Sequence, residues 1–435
     1  MKFKHKNVLV YGLSVSGEWA SKLLLKEKAN VFLFDDNEET LNNKRIKGCF
    51  VLKQLNENYI SQLDCIIVSP SITKDNKNIE IANRLNIKIF SELEFASLFC
   101  KNLIAVTGTN GKTTTVQLIE AMLKEKKKTI ACGNIGYPVS RAVLEKKKHL
   151  KVVEVSTYML ENAECFSPKI ATILNIEADH LSRHKTMDEY TKLKLGIFKN
   201  LTYKDYAIVN LDSKIEPKRS CRVFTYSQKR QADVYAKDGY IYLKEQKICA
   251  ISELKLKGKH NIQNILTAIA CASIHNVKPK LIRKVLLNFR AENYRLQQVA
   301  TINDVTFVND SKSTNIASTL AGVEAVKGSI TLLLGGSKKG LNYSLLFSKL
   351  SKRVKQIFAF GEIAQDLELA NNCKFNLQVC KNLNEAFKLA TESAKRFDTI
   401  LLSPASASYD QYSNYIERGN HFNNLVKNYE AENQN

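Results

Sequence analysis

Short apolar runs recur along the first part of the chain, and each is followed by a stretch with helical spacing. The runs read NVLVYGL, NVFLFDD, CIIVSP and KIFSELEF. They are the length of β-strands and are rich in Val, Ile and Phe. The pattern predicts a small, Rossmann-like βαβ domain over residues 1–95.

The same alternation continues through two further blocks. The second has the strand-like runs NLIAVTG, LKVVEVS, IATILNI and YAIVNLD, and it ends in the helix NIQNILTAIACASIHN and another helix up to Phe289. The third opens near Arg290 with a strand pair around VATINDVTFVND, followed by SITLLLGGS, VKQIFAFGE and DTILLSPAS. Such alternation favours mostly parallel sheets covered by helices. We therefore expect an α/β protein with a central α/β domain over 96–289 and a Rossmann-like domain over 290–435. The glycine-rich turn described below makes the central domain P-loop ATPase-like.

Composition narrows the class of protein. Of 435 residues, 44% are hydrophobic and 25% charged, as in ordinary globular proteins. The apolar run near the N-terminus leads into a Gly-Ser turn without a small-residue cleavage site, so we interpret it as a first strand and not as a signal peptide. No apolar run reaches 18 residues, and the ten cysteines lack CxxC or paired spacing. We expect a cytoplasmic protein with reduced thiols and no membrane partner.

The net charge of +22 raises the question of nucleic-acid binding. Lysine is abundant everywhere, however, and runs such as KEKKK fall at predicted helix ends, where cations suit the helix dipole. Because no nucleic-acid-binding motif is present, we predict no such partner. The charge would equally suit small polyanionic substrates.

The stretch IAVTGTNGKTTTVQLIEAML joins a predicted strand to a predicted helix through a glycine-rich turn. Its glycine spacing is shorter than in the common phosphate-binding loop, but the physics is the same: backbone N–H groups and the helix N-terminus point at phosphates. Lys112 would reach the β- and γ-phosphates and Thr113 would ligate Mg²⁺. The predicted phosphate contacts are Gly108, Thr109, Asn110, Gly111, Lys112, Thr113 and Thr114. Taken alone, the turn indicates a bound triphosphate and leaves open whether the protein is a motor, a kinase, a switch or an enzyme that activates a carboxylate.

Several downstream residues are candidates for the same crevice. Glu154 ends the next strong strand, where a carboxylate suits Mg²⁺, although a surface glutamate would look the same. His180 follows another strand, and a lone histidine there is more often structural than a ligand. Tyr190 and Lys194 are four apart on a probable helix.

Taken together, these motifs resemble a known family. GTNGKTT, E-x-S, N-x-x-x-D-H, Y-x-x-x-K and GKHNIQN occur in the order typical of Mur ligases, the ATP-dependent ligases that assemble the peptidoglycan stem peptide. The resemblance covers the whole chain. The C-terminal third is most similar to members that add D-glutamate, through VNDSKSTNIAST, LLLGGSKKG and LLSPASASYDQYSNYIERGNHF. The Asp-Asn-Pro-Arg-type motif of diaminopimelate-adding relatives is absent.

The resemblance implies a reaction and a set of site residues. The carboxylate of UDP-N-acetylmuramoyl-L-alanine would become an acyl phosphate at the expense of ATP, and D-glutamate would displace the phosphate. Two Mg²⁺ ions are implied, with Thr113, Glu154, His180 and a carbamylated Lys194 as ligands. Asn264, Arg295 and Asp310 match positions that contact ATP. The implied D-glutamate contacts are Lys312, Thr314, Lys339, Ser408 and Tyr415.

The sugar nucleotide is implied to bind the first domain. GLSVSG follows the first strand and resembles a dinucleotide fingerprint, but Ser14 stands where the middle glycine would allow close approach of a pyrophosphate. The motif is therefore weak evidence for NAD binding, whereas it is similar to the loop with which the family binds uridine diphosphate. The implied contacts with the sugar nucleotide are Val15, Ser16, Asp35, Asp36, Ser71, Asn134, Ser156 and His180.

Some positions depart from the family pattern. Met159 stands where a glutamine is usual and cannot make an amide's hydrogen bonds. Tyr294-Arg295 replaces a His-Arg pair, and Ser69-Pro70-Ser71 replaces Ser-Pro-Gly. Three readings follow: a monomeric D-glutamate ligase, a sibling or folylpolyglutamate-type ligase for another amino acid, and a nucleotide-binding homologue that has lost ligation. Because the metal and phosphate groups are retained, we predict an active enzyme.

Overall fold

A computed structural model describes residues 3–43, 46–100, 102–179, 181–217, 221–256, 258–290, 294–339 and 341–433. These residues form three β-sheets with helices packed against them. The predicted α/β fold class is confirmed. Over the described ranges, no helix combines the length and the apolar character needed to cross a bilayer.

The first sheet has five parallel strands in the order β3-β2-β1-β4-β5. Its central strands β1 and β4 are almost wholly buried, as strands covered on both faces must be. The chain order reverses between β1 and β4, which opens a crevice beyond their carboxyl ends. Its elements are β1 (Asn7–Tyr11), α1 (Val15–Lys26), β2 (Asn30–Phe34), α2 (Glu38–Asn43), β3 (Phe50–Val51), α3 (Glu57–Ile60), β4 (Cys65–Val68), α4 (Lys77–Arg84), β5 (Lys88–Ser91) and α5 (Glu92–Ser97).

The second sheet has nine strands in the order β14-β13-β12-β11-β10-β9-β6-β8-β7. The seven neighbouring strands from β12 to β7 in this order pair in parallel, and β6 lies between β8 and β9. Its elements are β6 (Leu103–Thr107), α6 (Lys112–Lys124), β7 (Thr129–Gly133), α7 (Val139–Glu145), β8 (Leu150–Glu154), α8 (Thr157–Leu160), β9 (Ile170–Ile173), α9 (Leu181–His184), α10 (Met187–Leu195), β10 (Tyr206–Asn210), β11 (Arg222–Ser227), β12 (Val234–Lys237), β13 (Tyr240–Leu243), β14 (Gln246–Ala250), α11 (Lys259–Ile274) and α12 (Pro279–Asn288).

The edge of the second sheet is an antiparallel meander of β12, β13 and β14, which the sequence analysis did not predict. Its first turn is Asp238-Gly239, and both residues have positive φ, 48° and 77°. An Asp-Gly pair between two segments in which apolar and polar residues alternate is a strong signal for a β-hairpin. The prediction of parallel strands therefore holds for the interior of this sheet and not for its edge.

The third sheet has the order β15-β16-β20-β17-β18-β19, with the predicted strand pair β15–β16 antiparallel and the other pairs parallel. The carboxyl ends of β16, β20 and β17 are therefore neighbours. Its elements are β15 (Gln297–Ile302), β16 (Val305–Asn309), α13 (Ile316–Ala325), β17 (Ile330–Gly335), α14 (Ser344–Lys349), β18 (Val354–Phe360), α15 (Ala364–Asn371), β19 (Leu377–Cys380), α16 (Leu383–Ser393), β20 (Thr399–Ala405) and α17 (Tyr415–Asn433).

Packing divides the chain into two compact units. One contains the first two sheets and comprises Met1–Ile176, Asp188–Leu254 and Ile262–Asn288; the other contains the third sheet and comprises Glu177–Met187, Lys255–Asn261 and Phe289–Asn435. The division into three domains at residues 95/96 and 289/290 stays a prediction.

Within the first unit, the two sheets share a hydrophobic core, and α1 and α5 both pack on α7. Two buried carboxylates of α5 reinforce this junction. Glu92 Oε1 accepts a hydrogen bond from Ser140 N in the first turn of α7 at 2.6 Å, and Glu94 Oε1 accepts one from Cys165 N at 3.0 Å. Burial raises the pKa of both carboxyl groups.

Candidate active site

The glycine-rich turn lies where the sequence predicted it, between the buried strand β6 and helix α6. Gly111 is the residue before the helix and has a φ of +83°, which favours glycine. A Cβ atom at this position would lie 3.0 Å from Cγ of the buried Asn264 and closer still to its Oδ1 oxygen. The structure therefore brings the predicted ATP contact Asn264 directly against the turn.

Asn175 also fixes the turn, through hydrogen bonds to its backbone. It follows β9, and its Oδ1 accepts a hydrogen bond from Asn110 N at 2.8 Å, while its backbone oxygen accepts one from Thr109 N at 3.0 Å. Lys112 Nζ donates to the carbonyl oxygens of Gly108 and Thr109 at 2.8 and 2.7 Å. The turn is thus fixed by its own lysine and by an asparagine to which sequence reasoning gave no role, although it opens the N-x-x-x-D-H motif.

Glu154 joins two loops. Its Oε2 oxygen accepts a hydrogen bond from the Thr113 hydroxyl at 2.7 Å, and its Oε1 oxygen accepts one from Asn134 Nδ2 at 3.0 Å. The parallel pairing of β8 with β6 and β7 accounts for this, because it aligns Glu154 with Val106 and Gly133. The side chains of Thr113 and Glu154 are both buried.

The oxygen atoms of Thr113 and Glu154 suit a hard cation at the N-terminus of α6. Mg²⁺ prefers such oxygen ligands and shares them with phosphates. Over the described residues, no group of three or more His, Cys, Asp or Glu side chains could hold a metal ion on its own. Thr113 and Glu154 offer two oxygen ligands, and phosphate and water would supply the others. His180 lies outside the described residues.

Helix α10 buries Tyr190 and Lys194 on one face, one turn apart. The Tyr190 hydroxyl lies 3.1 Å from the Thr109 hydroxyl of the glycine-rich turn, and Lys194 Nζ lies 4.6 Å from the centroid of the Tyr190 ring. Lys194 is only 2% exposed, which is unusual for a lysine. The structure therefore links the predicted Tyr190-Lys194 pair to the phosphate-binding turn.

The first sheet presents the sugar-nucleotide candidates at the carboxyl ends of β1, β2 and β4. Val15 is 51% exposed at the start of α1, where Ser16 is half-buried. Asp35 Oδ2 accepts a hydrogen bond from Leu13 N at 2.6 Å, so this carboxylate fixes the loop before α1. Asp36 accepts from the Tyr11 hydroxyl at 2.7 Å. Burial, followed by smaller effects, raises the Tyr11 pKa to about 12, so this hydroxyl remains a donor.

The remaining two candidates for the sugar nucleotide differ in exposure. Ser71 is exposed, whereas Ser156 is half-buried and caps α8, where its Oγ accepts from Met159 N at 3.4 Å. Met159, the residue that departs from the family pattern, is buried in the core shared by the first two sheets. Its thioether therefore contributes to packing.

In the second unit, Asp310 lies at the end of β16 and is fully enclosed. Its Oδ2 accepts hydrogen bonds from the Ser313 and Ser403 hydroxyls at 2.6 and 2.8 Å, and its Oδ1 accepts from Leu296 N at 3.2 Å. Burial raises its pKa to about 6, against the lowering effect of these hydrogen bonds and of the Arg295 charge. Asp310 and Arg295 are thus brought together.

Arg295 sits in a strained segment. The residues on either side of it, Tyr294 and Leu296, have φ values of +66° and +45°. Its Nε atom is buried and has no hydrogen-bond partner among the described residues. Non-glycine residues in this region of φ cost free energy and cluster at binding sites. An unpaired, buried guanidinium N–H is consistent with the predicted contact with an anion.

The D-glutamate candidates lie on the loops after β16, β17 and β20 and at the start of α17, and the structure brings four of them together in two pairs. Lys339 Nζ donates to the Thr314 carbonyl at 3.2 Å and pairs with Asp179 Oδ1 at 3.5 Å. Lys312 Nζ lies 5.1 Å from the ring centroid of Tyr415. Ser408 is buried on the loop after β20. Asp179 also accepts from Asn315 Nδ2 at 3.1 Å, a supporting role that sequence reasoning missed.

Comparisons with known proteins agree with this arrangement. Residues 106–272 match the Mur ligase middle domain, and residues 294–406 match the Mur ligase, glutamate ligase domain. The chain is 36% identical to the UDP-N-acetylmuramoylalanine--D-glutamate ligase of Thermoanaerobacter pseudethanolicus, over 98% of this chain and 99% of the relative. It is 35% identical to the protein of the same name from Koribacter versatilis, over 98% of each chain.

Solved structures share the fold. A pseudomurein peptide ligase type C from Methanothermus fervidus superposes with a TM-score of 0.62 at 15% identity, covering 98% of this chain and 100% of that chain. A MurF ligase from Thermotoga maritima in complex with ADP also gives 0.62 at 15% identity, covering 98% and 96%.

Proposed function

Because the chain belongs to the Mur ligase family, we propose that it is an ATP-dependent ligase that joins D-glutamate to UDP-N-acetylmuramoyl-L-alanine in peptidoglycan precursor synthesis. The family membership and the full-length similarity to ligases of that name support the substrate assignment. The observation that carries the chemistry is the Thr113–Glu154 contact at the N-terminus of α6, because it places a buried carboxylate beside a phosphate-binding turn.

The ATP side of the reaction needs neutralisation of charge. A carboxylate that attacks the γ-phosphate is repelled by the triphosphate, so cations and N–H dipoles must offset the developing charge. The backbone of residues 108–114 and the N-terminus of α6 would hold the phosphates, and Lys112 would exchange its bonds to Gly108 and Thr109 for phosphate oxygens. Bound Mg²⁺ would act as a Lewis acid on the transferred phosphoryl group.

We propose that Lys194 is carbamylated, as in the family. Attack of its neutral amine on CO₂ forms an N–C bond and releases one proton, which converts the side chain into an oxygen ligand for a second ion. The burial of Lys194 supports this, since a buried ammonium is costly and a carbamate would serve a metal. His180 is proposed as a further ligand near the same ion. On the nucleotide, Asn264, Arg295 and Asp310 are proposed contacts.

The incoming amino acid carries two carboxylates, which require charge-assisted hydrogen bonds. We assign Lys312 and Lys339 to them, with Thr314, Ser408 and Tyr415 completing the site. Attack of the muramoyl-alanine carboxylate on the γ-phosphate forms the acyl phosphate and releases ADP. The neutral amine of D-glutamate then attacks the acyl carbon, so that an amide bond forms, inorganic phosphate leaves and the amine loses one proton. Asn134 and Ser156, with the first-sheet residues Val15, Ser16, Asp35, Asp36 and Ser71, are proposed to bind the sugar nucleotide. We expect the enzyme to act as a monomer in the cytoplasm.

The test is phosphate release from ATP in the presence of Mg²⁺, UDP-N-acetylmuramoyl-L-alanine and a panel of amino acids. Release that requires D-glutamate is expected, and the Lys112→Ala variant should show none. Release with L-lysine or diaminopimelate instead would move the protein to a sibling activity. ATP binding without release for any amino acid would identify a homologue that has lost ligation.

A further inference from the structure

Arg418 is a fully buried arginine near the start of α17, and all its N–H donors are engaged. Nε donates to Ser311 Oγ at 3.1 Å, Nη1 to the carbonyls of Gly335 and Ala407 at 3.2 and 3.1 Å, and Nη2 to those of Ser311 and Ser406 at 2.9 and 3.0 Å. A guanidinium has five N–H donors, so this set matches its capacity. The acceptors are four backbone carbonyls and one hydroxyl.

These acceptors belong to three different loops. Ser311 follows β16, Gly335 ends β17, and Ser406 and Ala407 follow β20. The three strands are neighbours in the third sheet, so one guanidinium reaches the carboxyl ends of all of them. The same loops carry the proposed D-glutamate contacts: Lys312 and Thr314 on the first, Lys339 on the second and Ser408 on the third.

A glycine on the loop after β17 leaves space beside the guanidinium. Gly336 has a φ of +132°, and a Cβ atom there would lie 2.9 Å from Arg418 Nη1 and closer to the Ala407 carbonyl oxygen. Burial lowers the pKa of Arg418 only to about 10, so the group stays charged at neutral pH. A planar fork with fixed directions can hold three loops at set distances, whereas a lysine ammonium has three donors at a single point.

We propose that Arg418 is a positioning residue that sets the spacing of these three loops and thereby the affinity for the two carboxylates of D-glutamate. This inference rests on the proposed function. A substrate with two charged ends must be met by groups from several loops at once, so a small shift of one loop removes a contact. Displacements of about 1 Å at such sites cost large factors in catalysis.

The experiment compares steady-state kinetics of Arg418→Lys and Arg418→Met with the wild type. We expect KM for D-glutamate to rise about tenfold or more in Arg418→Met and less in Arg418→Lys. KM for UDP-N-acetylmuramoyl-L-alanine should change by less than about twofold, because its proposed contacts lie on other loops. If Arg418→Met is unstable, Ser311→Ala provides the milder test, since it removes one of the five acceptors and should raise KM for D-glutamate by a few-fold.

Phe422→Leu is the matched control. Phe422 lies one turn further along α17, is fully buried, and packs edge-to-face on Phe387 of α16 with ring centroids 5.7 Å apart. It should lower the melting temperature and leave KM for D-glutamate unchanged. An equal rise of KM in Phe422→Leu, or an unchanged KM in both Arg418 variants and Ser311→Ala, would overturn the inference. A wild type without D-glutamate-dependent phosphate release would instead overturn the proposed function, and this inference with it.

Discussion

Two glycines of the first unit allow two costs of an alanine substitution to be measured separately: the cost of positive φ and the cost of a steric clash in the phosphate-binding turn. Gly111 and Gly136 have the same φ of +83°. A Cβ atom at Gly136 would meet no atom within 4 Å, whereas one at Gly111 would lie 3.0 Å from Asn264 Cγ and 3.1 Å from its Nδ2. Alanine at either position therefore has a similar penalty from positive φ, and only Gly111→Ala also forces a neighbour to move.

The expected losses follow from these two contributions. A left-handed backbone costs an L-residue about 1–2 kcal/mol, so Gly136→Ala should lower the free energy of unfolding by about that amount. Overpacking adds about 1–3 kcal/mol, so Gly111→Ala should lose about 2–5 kcal/mol. In an Asn264→Ala background the obstruction is gone, and the cost of Gly111→Ala should fall to that of Gly136→Ala.

Urea-induced unfolding, followed by circular dichroism, gives the free energy of unfolding of Gly136→Ala, Gly111→Ala, Asn264→Ala and the double variant Gly111→Ala/Asn264→Ala. The midpoints should rank wild type, Gly136→Ala, Gly111→Ala in decreasing order. ATP affinity should also fall in Gly111→Ala, because Asn264 and the start of α6 must shift. Equal losses for the two alanine variants would refute this account, as would a penalty at Gly111 that persists without the Asn264 side chain.

Three further predictions concern charged residues. Glu154→Gln should raise the Mg²⁺ concentration for half-maximal phosphate release about tenfold or more, because an amide is uncharged and has one acceptor oxygen where the carboxylate uses two, one for Thr113 and one for Asn134; an unchanged Mg²⁺ titration would contradict it. Lys194→Ala should reduce turnover about 100-fold, and added acetate should restore part of it; full activity would exclude the carbamate. Burial raises the pKa of Asp310 in the folded state to about 6, from an ordinary value of 3.8. The free energy of unfolding of the wild type, measured relative to that of Asp310→Asn, should therefore fall as the pH rises from about 4 to about 6. The expected change is about 3 kcal/mol, and a difference that does not vary with pH would refute the assignment.

Local patterns allowed the strand, turn and helix around Gly108 and Gly111 to be predicted, because their spacing and residue types are determined by the backbone itself. The position of Glu154 also followed, since parallel neighbours end at one edge of a sheet. The hairpin at Asp238-Gly239 also has a local signal, because both residues adopt the positive φ that an Asp-Gly turn favours.

Other features had no local signal. Arg418 bonds to the carbonyls of Ser311 and Gly335, which are 107 and 83 residues away, and every residue type has a carbonyl. Such contacts depend on strand order, which spacing along the chain does not reveal. The roles of Asn175 and Asp179 were missed for a related reason: one amide or carboxylate in a loop is indistinguishable from a solvated one until its partner is known.

The junction between the first two sheets also determines how relatives of this enzyme can be recombined. A chimera cut after α5 would separate Glu92 and Glu94 from the N–H groups of Ser140 and Cys165. A buried hydrogen-bonding group left without its partner costs about 1–3 kcal/mol, so a relative whose backbone places these two N–H groups differently would destabilise the chimera. Cutting before α5 would break its packing on β4, β5 and α1 instead. The first-sheet portion therefore cannot be exchanged between relatives by itself, and a transplant that retains stability has to bring the segment that begins α7 with it.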